Sequence, residues 1–205
     1  MAIITIMQFL IVSGFFGFGK TTFILELARE ISLNHKKKLA VIVNDIGEVG
    51  IDDKVMKAYG LNVKEMFGGC ICCEIAVNLP TTIKTLKENF NPDLVIMEPS
   101  GIADAFNIKN VLNSMRSVGI EILPVVTLFD ATQLDLLLES YPFIIKQLKS
   151  ADLVLISKID KISNPSYLKE VEAEIRKVNK NANIMQISAL NKLNINKVVE
   201  KIIFK

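Results

Sequence analysis

The hydrophobic positions of this chain form short, nearly continuous apolar runs that alternate with longer segments of helical periodicity. Such runs predict strands buried on both faces of a parallel sheet, and the periodic segments predict covering helices. The alternation predicts an α/β fold, a three-layer sandwich with a mostly parallel central sheet and helices on both faces. Strands are predicted at Ile3–Val12, Leu39–Asn44, Asn62–Phe67, Leu94–Met97, Ile122–Phe129, Leu153–Ile156 and Ile184–Ile187.

The helical segments fall between these strands. Helices are predicted at Thr22–Leu33, from the turn at residues 68–73 to about Asn89, and at Asp104–Arg116, Thr132–Lys149, Ser166–Val178 and Asn194–Ile203. Pro142 lies inside one of them, where its ring and missing N–H are expected to break or kink the helix.

The segment between the first strand and the first helix has the spacing of a phosphate-binding loop. Residues 14–22 read GFFGFGKTT and match G-x-x-x-x-G-K-[ST] at every fixed position. A Gly-rich turn before an ordinary helix is the alternative, which the complete spacing disfavours. We expect Lys20 to reach the β- and γ-phosphates and Thr21 to hold Mg²⁺, so the fold is predicted to be of the P-loop NTPase type. The nucleotide-contacting residues of the loop are predicted to be Gly14, Gly17, Phe18, Gly19, Lys20, Thr21 and Thr22.

The bulk properties narrow the class of protein. A length of 205 residues suits one domain, and the apolar fraction of 50% provides a substantial core. The net charge of +2 gives no indication of a nucleic-acid partner, and none is predicted. No apolar run reaches the roughly 18 residues of a membrane span. The apolar N-terminal run has no charged region before it, so we expect no signal peptide and a cytoplasmic protein.

Two further motifs follow predicted strands. In Glu98-Pro99-Ser100-Gly101, Glu98 can bind or orient Mg²⁺, and the Gly101 N–H can approach a γ-phosphate. A Pro-Ser-Gly turn after a strand is common, so this motif gains weight only beside a phosphate loop.

The segment Ser157-Lys158-Ile159-Asp160 is similar to the Asn-Lys-x-Asp motif that reads guanine. Asp160 would accept hydrogen bonds from guanine N1–H and the exocyclic amine, while the stem of Lys158 would lie along the base. Ser157 replaces the asparagine, and a hydroxyl cannot reproduce both roles of an amide. Ser188 and Ala189 are placed like the loop that supports the base.

All three cysteines of the chain, Cys70, Cys72 and Cys73, fall within four residues. Thiolates suit soft or borderline transition metals, and side chains two apart in an extended stretch share a face. Glu48 is a candidate fourth ligand. Small buried residues at a tight turn are one alternative, and a redox pair of thiols is another.

Together, five segments resemble the CobW/HypB/UreG family of P-loop GTPases, most of all its CobW-type metallochaperone branch. They are GFFGFGKTT (14–22), NDIGEVGID (44–52), GGCICC (68–73), EPSGIAD (98–104) and SKID (157–160). The resemblance implies GTP hydrolysis coupled to delivery of a transition metal or metal cofactor to a client protein. It implies that Lys20 acts in catalysis and that Asp45 and Glu98 serve Mg²⁺ and the attacking water. It also implies a metal site at Glu48, Cys70, Cys72 and Cys73 that the nucleotide controls.

The chain also departs from the family pattern. Phe16 and Phe18 are bulky for a phosphate loop, Ser157 replaces an asparagine, and Val43 stands where some members have an acidic residue. We expect a single GTPase domain over 1–205 without a C-terminal CobW-type domain. The resemblance further implies a homodimer when nucleotide is bound. Ligand softness favours Zn²⁺, with Co²⁺ and Ni²⁺ as alternatives.

Competing functions share the phosphate loop and differ elsewhere. The favoured function is a slow GTPase that inserts metal. One alternative is a nucleotide-gated switch chaperone for a cofactor-bearing enzyme, such as a corrinoid enzyme, without transport of free metal. A small-molecule kinase is disfavoured because only three scattered arginines are present. A thiol redox sensor is the last alternative.

Overall fold

A parallel sheet with helices on both faces is the main feature of the computed structural model. It describes residues 6–35, 37–43, 62–65 and 71–203, without the side chains of residues 43, 62–65, 71–78 and 118. The strands run in the order β3-β2-β4-β1-β6-β7-β8, with β5 also paired to β1, and all these pairings are parallel. Their bounds are β1 Met7–Gly14, β2 Leu39–Val43, β3 Asn62–Glu65, β4 Leu94–Glu98, β5 Ile120–Ile122, β6 Val126–Asp130, β7 Leu153–Ser157 and β8 Asn183–Gln186.

The helices bury both faces of the sheet, which confirms the predicted three layers. In β1, Leu10 and Val12 pack in the cluster that contains side chains of α1, whereas Phe9 and Ile11 pack with those of α2 and α3. No helix in the described ranges is long and apolar enough to cross a membrane. The helices are α1 Lys20–His35, α2 Ile71–Asn89, α3 Ala105–Ser114, α4 Leu134–Leu138, α5 Pro142–Ser150, α6 Pro165–Val178 and α7 Ile195–Ile203.

The predicted strand Ile122–Phe129 is wrong as a single element, because it is divided between β5 and β6. Pro124 lies in the gap and has no N–H to donate to a neighbouring strand. The Val125 N–H donates instead to the Asp152 carboxylate at 2.8 Å. Because of this interruption, β5 pairs with the first residues of β1, Met7 to Phe9, and β6 pairs with its last residues, Val12 to Gly14.

The predicted helix Thr132–Lys149 is also interrupted, as the position of Pro142 indicated. A 3₁₀ turn over Ala131–Gln133 leads into α4, and α5 begins at Pro142. Ser140, between the two helices, has a φ of 56°. Proline is well suited to the first helical position because the N–H it lacks would have no partner there. Two short helices therefore replace the long one.

The central position of β1 brings the ends of several strands together. β4 lies on one side of β1 and β6 on the other, with β7 beyond β6. Val43 of β2 is the register partner of Glu98, and Asp130 is the partner of Ser157. Polar residues at these carboxyl ends thus flank the loop that leaves β1, which is where open α/β sheets bind ligands.

Candidate functional site

The predicted phosphate loop runs from Gly14, which ends β1, to Lys20, which begins α1. Gly14, Gly17 and Gly19 have φ values of 142°, 73° and 90°. A Cβ on Gly14 would lie 2.8 Å from the Leu128 carbonyl oxygen, whereas one on Gly17 would meet no other described atom within 4 Å. The loop therefore needs glycine for its curl and leaves open space at Gly17, a shape that fits phosphate oxygens.

The bulky side chains of the loop are accommodated without crowding this space. Phe18 is buried and its ring packs edge-on against Phe15 at 5.8 Å and Phe129 at 5.4 Å between centroids. Phe16 is 49% exposed and lies against Gly101. The two phenylalanines that depart from the usual small residues thus pack against the core and the neighbouring turn, and any contact of Phe18 with nucleotide would come from its backbone.

Lys20, Thr21 and Glu98 form a polar cluster at the start of α1, in which Lys20 and Glu98 are buried and Thr21 is half-buried. The Thr21 hydroxyl is 3.0 Å from each carboxylate oxygen of Glu98. The Lys20 ammonium lies 3.8 Å from Glu98 and donates to the Phe15 carbonyl at 3.2 Å. Lys20 is only 5% exposed and Glu98 only 3%. The structure thus brings together three residues predicted from two separate motifs, and a hydroxyl beside a carboxylate is a donor set that suits Mg²⁺.

Ser157, which replaces the asparagine of the guanine-reading motif, ties β7 to the phosphate loop. Its hydroxyl lies 2.8 Å from the Phe18 carbonyl and 3.2 Å from the Phe129 carbonyl. The residue is buried. A hydroxyl has one proton and can donate to only one of the two oxygens at a time. The contacts of Ser157 therefore stabilise the phosphate loop at Phe18.

Lys158 is fixed at both of its ends. Its backbone has a φ of 57°, and its ammonium lies 2.6 Å from both the Gly17 carbonyl and the Asp130 carboxylate. Asp130 also accepts hydrogen bonds from the N–H and hydroxyl of Thr132. No role for Asp130 is predicted from the sequence. Its place directly after an apolar strand was the only signal that could have identified it.

The other predicted nucleotide-binding residues lie along the same edge. Asp160 is exposed in a 3₁₀ turn, and the neighbouring Ile159 N–H donates to the Ile187 carbonyl at 3.4 Å. That contact places the Asp160 turn beside the segment that contains Ser188 and Ala189. Ser188 is buried and pairs through its backbone with Leu193.

Thr22 and Gly101 complete the set of predicted nucleotide-binding residues. Thr22 is exposed in the first turn of α1, and Gly101 is buried in the turn after β4.

The predicted transition-metal site falls largely outside the described residues. Glu48 and Cys70 lie outside the described residues, as does Asp45, which is predicted to serve Mg²⁺ and the attacking water. Helix α2 begins at Ile71, so Cys72 and Cys73 have helical backbone. The prediction that Cys70 and Cys72 share a face of an extended stretch is therefore wrong for Cys72. Within the described part of the chain, no group of three or more potential metal-ligating side chains is found.

Comparison with known proteins connects this site to one family. The family described as CobW/HypB/UreG, nucleotide-binding domain, matches residues 8–186. The zinc chaperone YeiR of Escherichia coli K12 is 38% identical over 104 residues, which cover 51% of this chain and 31% of YeiR. The zinc chaperone YjiA of the same organism is 30% identical over 172 residues, which cover 80% of this chain and 53% of YjiA. The chain thus spans about half or less of these relatives.

Solved structures support the fold. The crystal structure of the hydrogenase maturation factor HypB from Archaeoglobus fulgidus has a TM-score of 0.66 to this chain. The match covers 95% of this chain and 88% of that protein at 17% sequence identity. A structural likeness at such low sequence identity shows the fold alone. It confirms the predicted P-loop sandwich.

Proposed function

This chain belongs to the CobW/HypB/UreG family of nucleotide-binding domains, and we propose that it is a GTP-hydrolysing metallochaperone that delivers a transition metal to a client protein. The contact that carries the proposal is the one between Thr21 and both oxygens of Glu98, beside the Lys20 ammonium. Phosphoryl transfer requires a cation, a hydroxyl and a carboxylate close to the phosphate loop. These three groups supply them in a largely buried setting, with Lys20 and Glu98 buried and Thr21 half-buried, where electrostatic interactions are strong.

Each residue of the cluster has a distinct part in the proposed hydrolysis. Lys20 leaves the Phe15 carbonyl to contact the β- and γ-phosphate oxygens, and the Gly17–Gly19 amides surround them. Thr21 and Glu98 would hold Mg²⁺, which would stabilise the developing charge and orient the phosphates. Asp45, after the strand paired with β4, orients the attacking water with Glu98.

Slow hydrolysis follows from the arginines available. Arg29 and Arg176 form ion pairs with Glu26 and Glu172 of their own helices. The third, Arg116, lies in the 3₁₀ turn after α3. No arginine lies in residues 14–22, 98–104 or 157–160, so a client or partner would have to supply the charge that accelerates the reaction.

The proposed cargo is zinc, with cobalt and nickel as the alternatives. Cys70, Cys72, Cys73 and Glu48 supply three thiolates and a carboxylate, a ligand set that suits Zn²⁺. The names of YeiR and YjiA describe those relatives as zinc chaperones. We further propose a cytoplasmic homodimer that assembles with nucleotide bound and gates metal affinity through the nucleotide state.

Guanine selectivity provides the first test of this proposal. Asp160→Asn is expected to weaken GTP and GDP binding by about 10- to 100-fold, because hydrogen bonds to a charged acceptor are lost. The amide can instead donate to the 2-oxo group of xanthine, so xanthosine triphosphate should bind more tightly than to the wild type. Fluorescence titration with GTP, GDP, ATP and xanthosine triphosphate in Mg²⁺ measures all four affinities.

The matched control is Asp135→Asn, which removes an exposed carboxylate on α4. It should leave the order of the four affinities unchanged. Wild-type protein that prefers ATP, or that hydrolyses GTP many times per second without a client, would contradict the proposal.

A further inference from the structure

A buried glutamine on α5 reaches the turn that follows Glu98. Gln147 is 3% exposed, and its side-chain amide donates to the Gly101 carbonyl at 3.0 Å and lies 3.5 Å from the Ala103 carbonyl. The turn itself is closed by a hydrogen bond from the Ala103 N–H to the Ser100 carbonyl. One side chain, 46 residues away along the chain, thus contacts two carbonyls of this turn.

The same turn is also in contact with the phosphate loop. A Cβ added to Gly101 would lie 2.8 Å from the Phe16 ring and 2.9 Å from the Phe16 nitrogen. Gly101 is therefore in close contact with the loop, without room for a methyl group. Because the turn contacts both α5 and the phosphate loop, its backbone has little freedom to shift alone.

The backbone of Gln147 extends the connection to β1. Its carbonyl lies 3.5 Å from the Thr127 hydroxyl, which shares a buried hydrogen bond of 2.8 Å with Ser13. Ser13 directly precedes Gly14, where the phosphate loop begins. Gln147 thus contacts the turn through its side chain. Its backbone carbonyl lies close to the paired hydroxyls of Thr127 and Ser13, next to the start of the phosphate loop.

We propose that Gln147 is a positioning residue that places the Gly101 N–H at the γ-phosphate and couples α5 to the presence of that phosphate. This inference rests on the proposed GTPase function. Gly101 is the residue whose amide is expected to meet the γ-phosphate, and its carbonyl is the one that Gln147 holds. When the γ-phosphate is absent, the same amide has no phosphate to contact, so Gln147 should affect GTP and leave GDP largely unaffected.

The test compares two substitutions with one control. Gln147→Met keeps the volume and removes the amide, and Gln147→Asn keeps an amide that is one methylene shorter. Lys146→Met is the control. Lys146 is the exposed neighbour of Gln147, and its ammonium lies 2.9 Å from the carboxylate of Asp104, the last residue of the segment 98–104. Affinities for GDP and for a non-hydrolysable GTP analogue are measured by titration, and hydrolysis is measured in single-turnover experiments.

Both Gln147 variants are expected to hydrolyse GTP about tenfold more slowly or worse, since displacement of a catalytic group by about 1 Å can cost up to 10²-fold. Affinity for the GTP analogue should fall with the rate. The GDP affinity of both variants should stay within about twofold of the wild-type value. In the Lys146→Met control, the affinities for GDP and for the GTP analogue should both stay within about twofold, which is the usual effect of a surface substitution. Unchanged GDP binding also shows that each variant is folded.

Two outcomes would overturn the inference alone. Equal losses of GDP and GTP-analogue affinity would mean that Gln147 supports the fold without placing Gly101. Unchanged hydrolysis in both variants would mean that the turn is positioned without it. Wild-type protein that binds neither nucleotide would overturn the proposed function, and the inference with it.

Discussion

Replacing Lys20 with methionine is expected to lower the rate of GTP hydrolysis by about 10²- to 10³-fold, the usual cost of removing one group that stabilises transition-state charge. The Lys20 ammonium is buried beside Glu98 and the loop carbonyl of Phe15. Methionine fills a similar volume but cannot supply positive charge to the γ-phosphate. Single-turnover hydrolysis at saturating GTP measures the loss without a contribution from weaker binding.

The substitution also leaves a buried carboxylate without its cation, which destabilises the fold. Thermal unfolding with GDP bound therefore accompanies the kinetics. Lys37→Met is the matched control, because the Lys37 ammonium donates to Gln8 at the opposite end of β1. Hydrolysis by folded Lys20→Met at the wild-type rate would contradict the role assigned to Lys20.

Replacing Cys72 with serine is expected to weaken zinc binding by about 100-fold or more, since even groups that only support a metal ligand are worth roughly 10- to 100-fold in affinity. A serine hydroxyl is a poor replacement for a thiolate, which is the form that binds Zn²⁺. Competition with a chromophoric chelator under anaerobic conditions measures the change. Lys84→Ser, at an exposed position of the same helix, is the control.

Zinc affinity that is the same in wild type and Cys72→Ser would remove this residue from the ligand set. The same result in Cys73→Ser as well would favour the alternative in which the cysteines serve structure. The chaperone would then gate a cofactor-bearing partner without carrying free metal.

The phosphate loop was predicted from the sequence because its information is local. The fixed glycines, Lys20 and Thr21 lie within nine residues, between a strand and a helix that apolar periodicity identified correctly. Helix α1 begins at Lys20, two residues before the predicted start, because helical geometry includes the end of the motif itself. The interruption at Pro142 was visible for the same reason, since proline acts on its own turn.

The features that the sequence did not reveal depend on contacts between distant residues. The contact between Gln147 and Gly101 depends on the approach of α5, and the contact between Lys158 and Asp130 depends on the alignment of the neighbouring strands β6 and β7. A periodic pattern shows which face of an element is buried, but it does not show which polar side chain on that face meets which loop. Phe18 was considered out of place in a phosphate loop, yet Phe15 and Phe129 provide a packed environment for its ring.

The zinc affinity of the wild-type protein in two nucleotide states is the most direct test of metal delivery controlled by nucleotide. Chelator competition under anaerobic conditions, repeated with Co²⁺ and Ni²⁺, compares protein bound to GDP with protein bound to a non-hydrolysable GTP analogue. A GTP-gated metallochaperone should show clearly different affinities in the two states, and the difference should vanish in Cys72→Ser. Equal zinc affinities in both states would contradict nucleotide control of the metal.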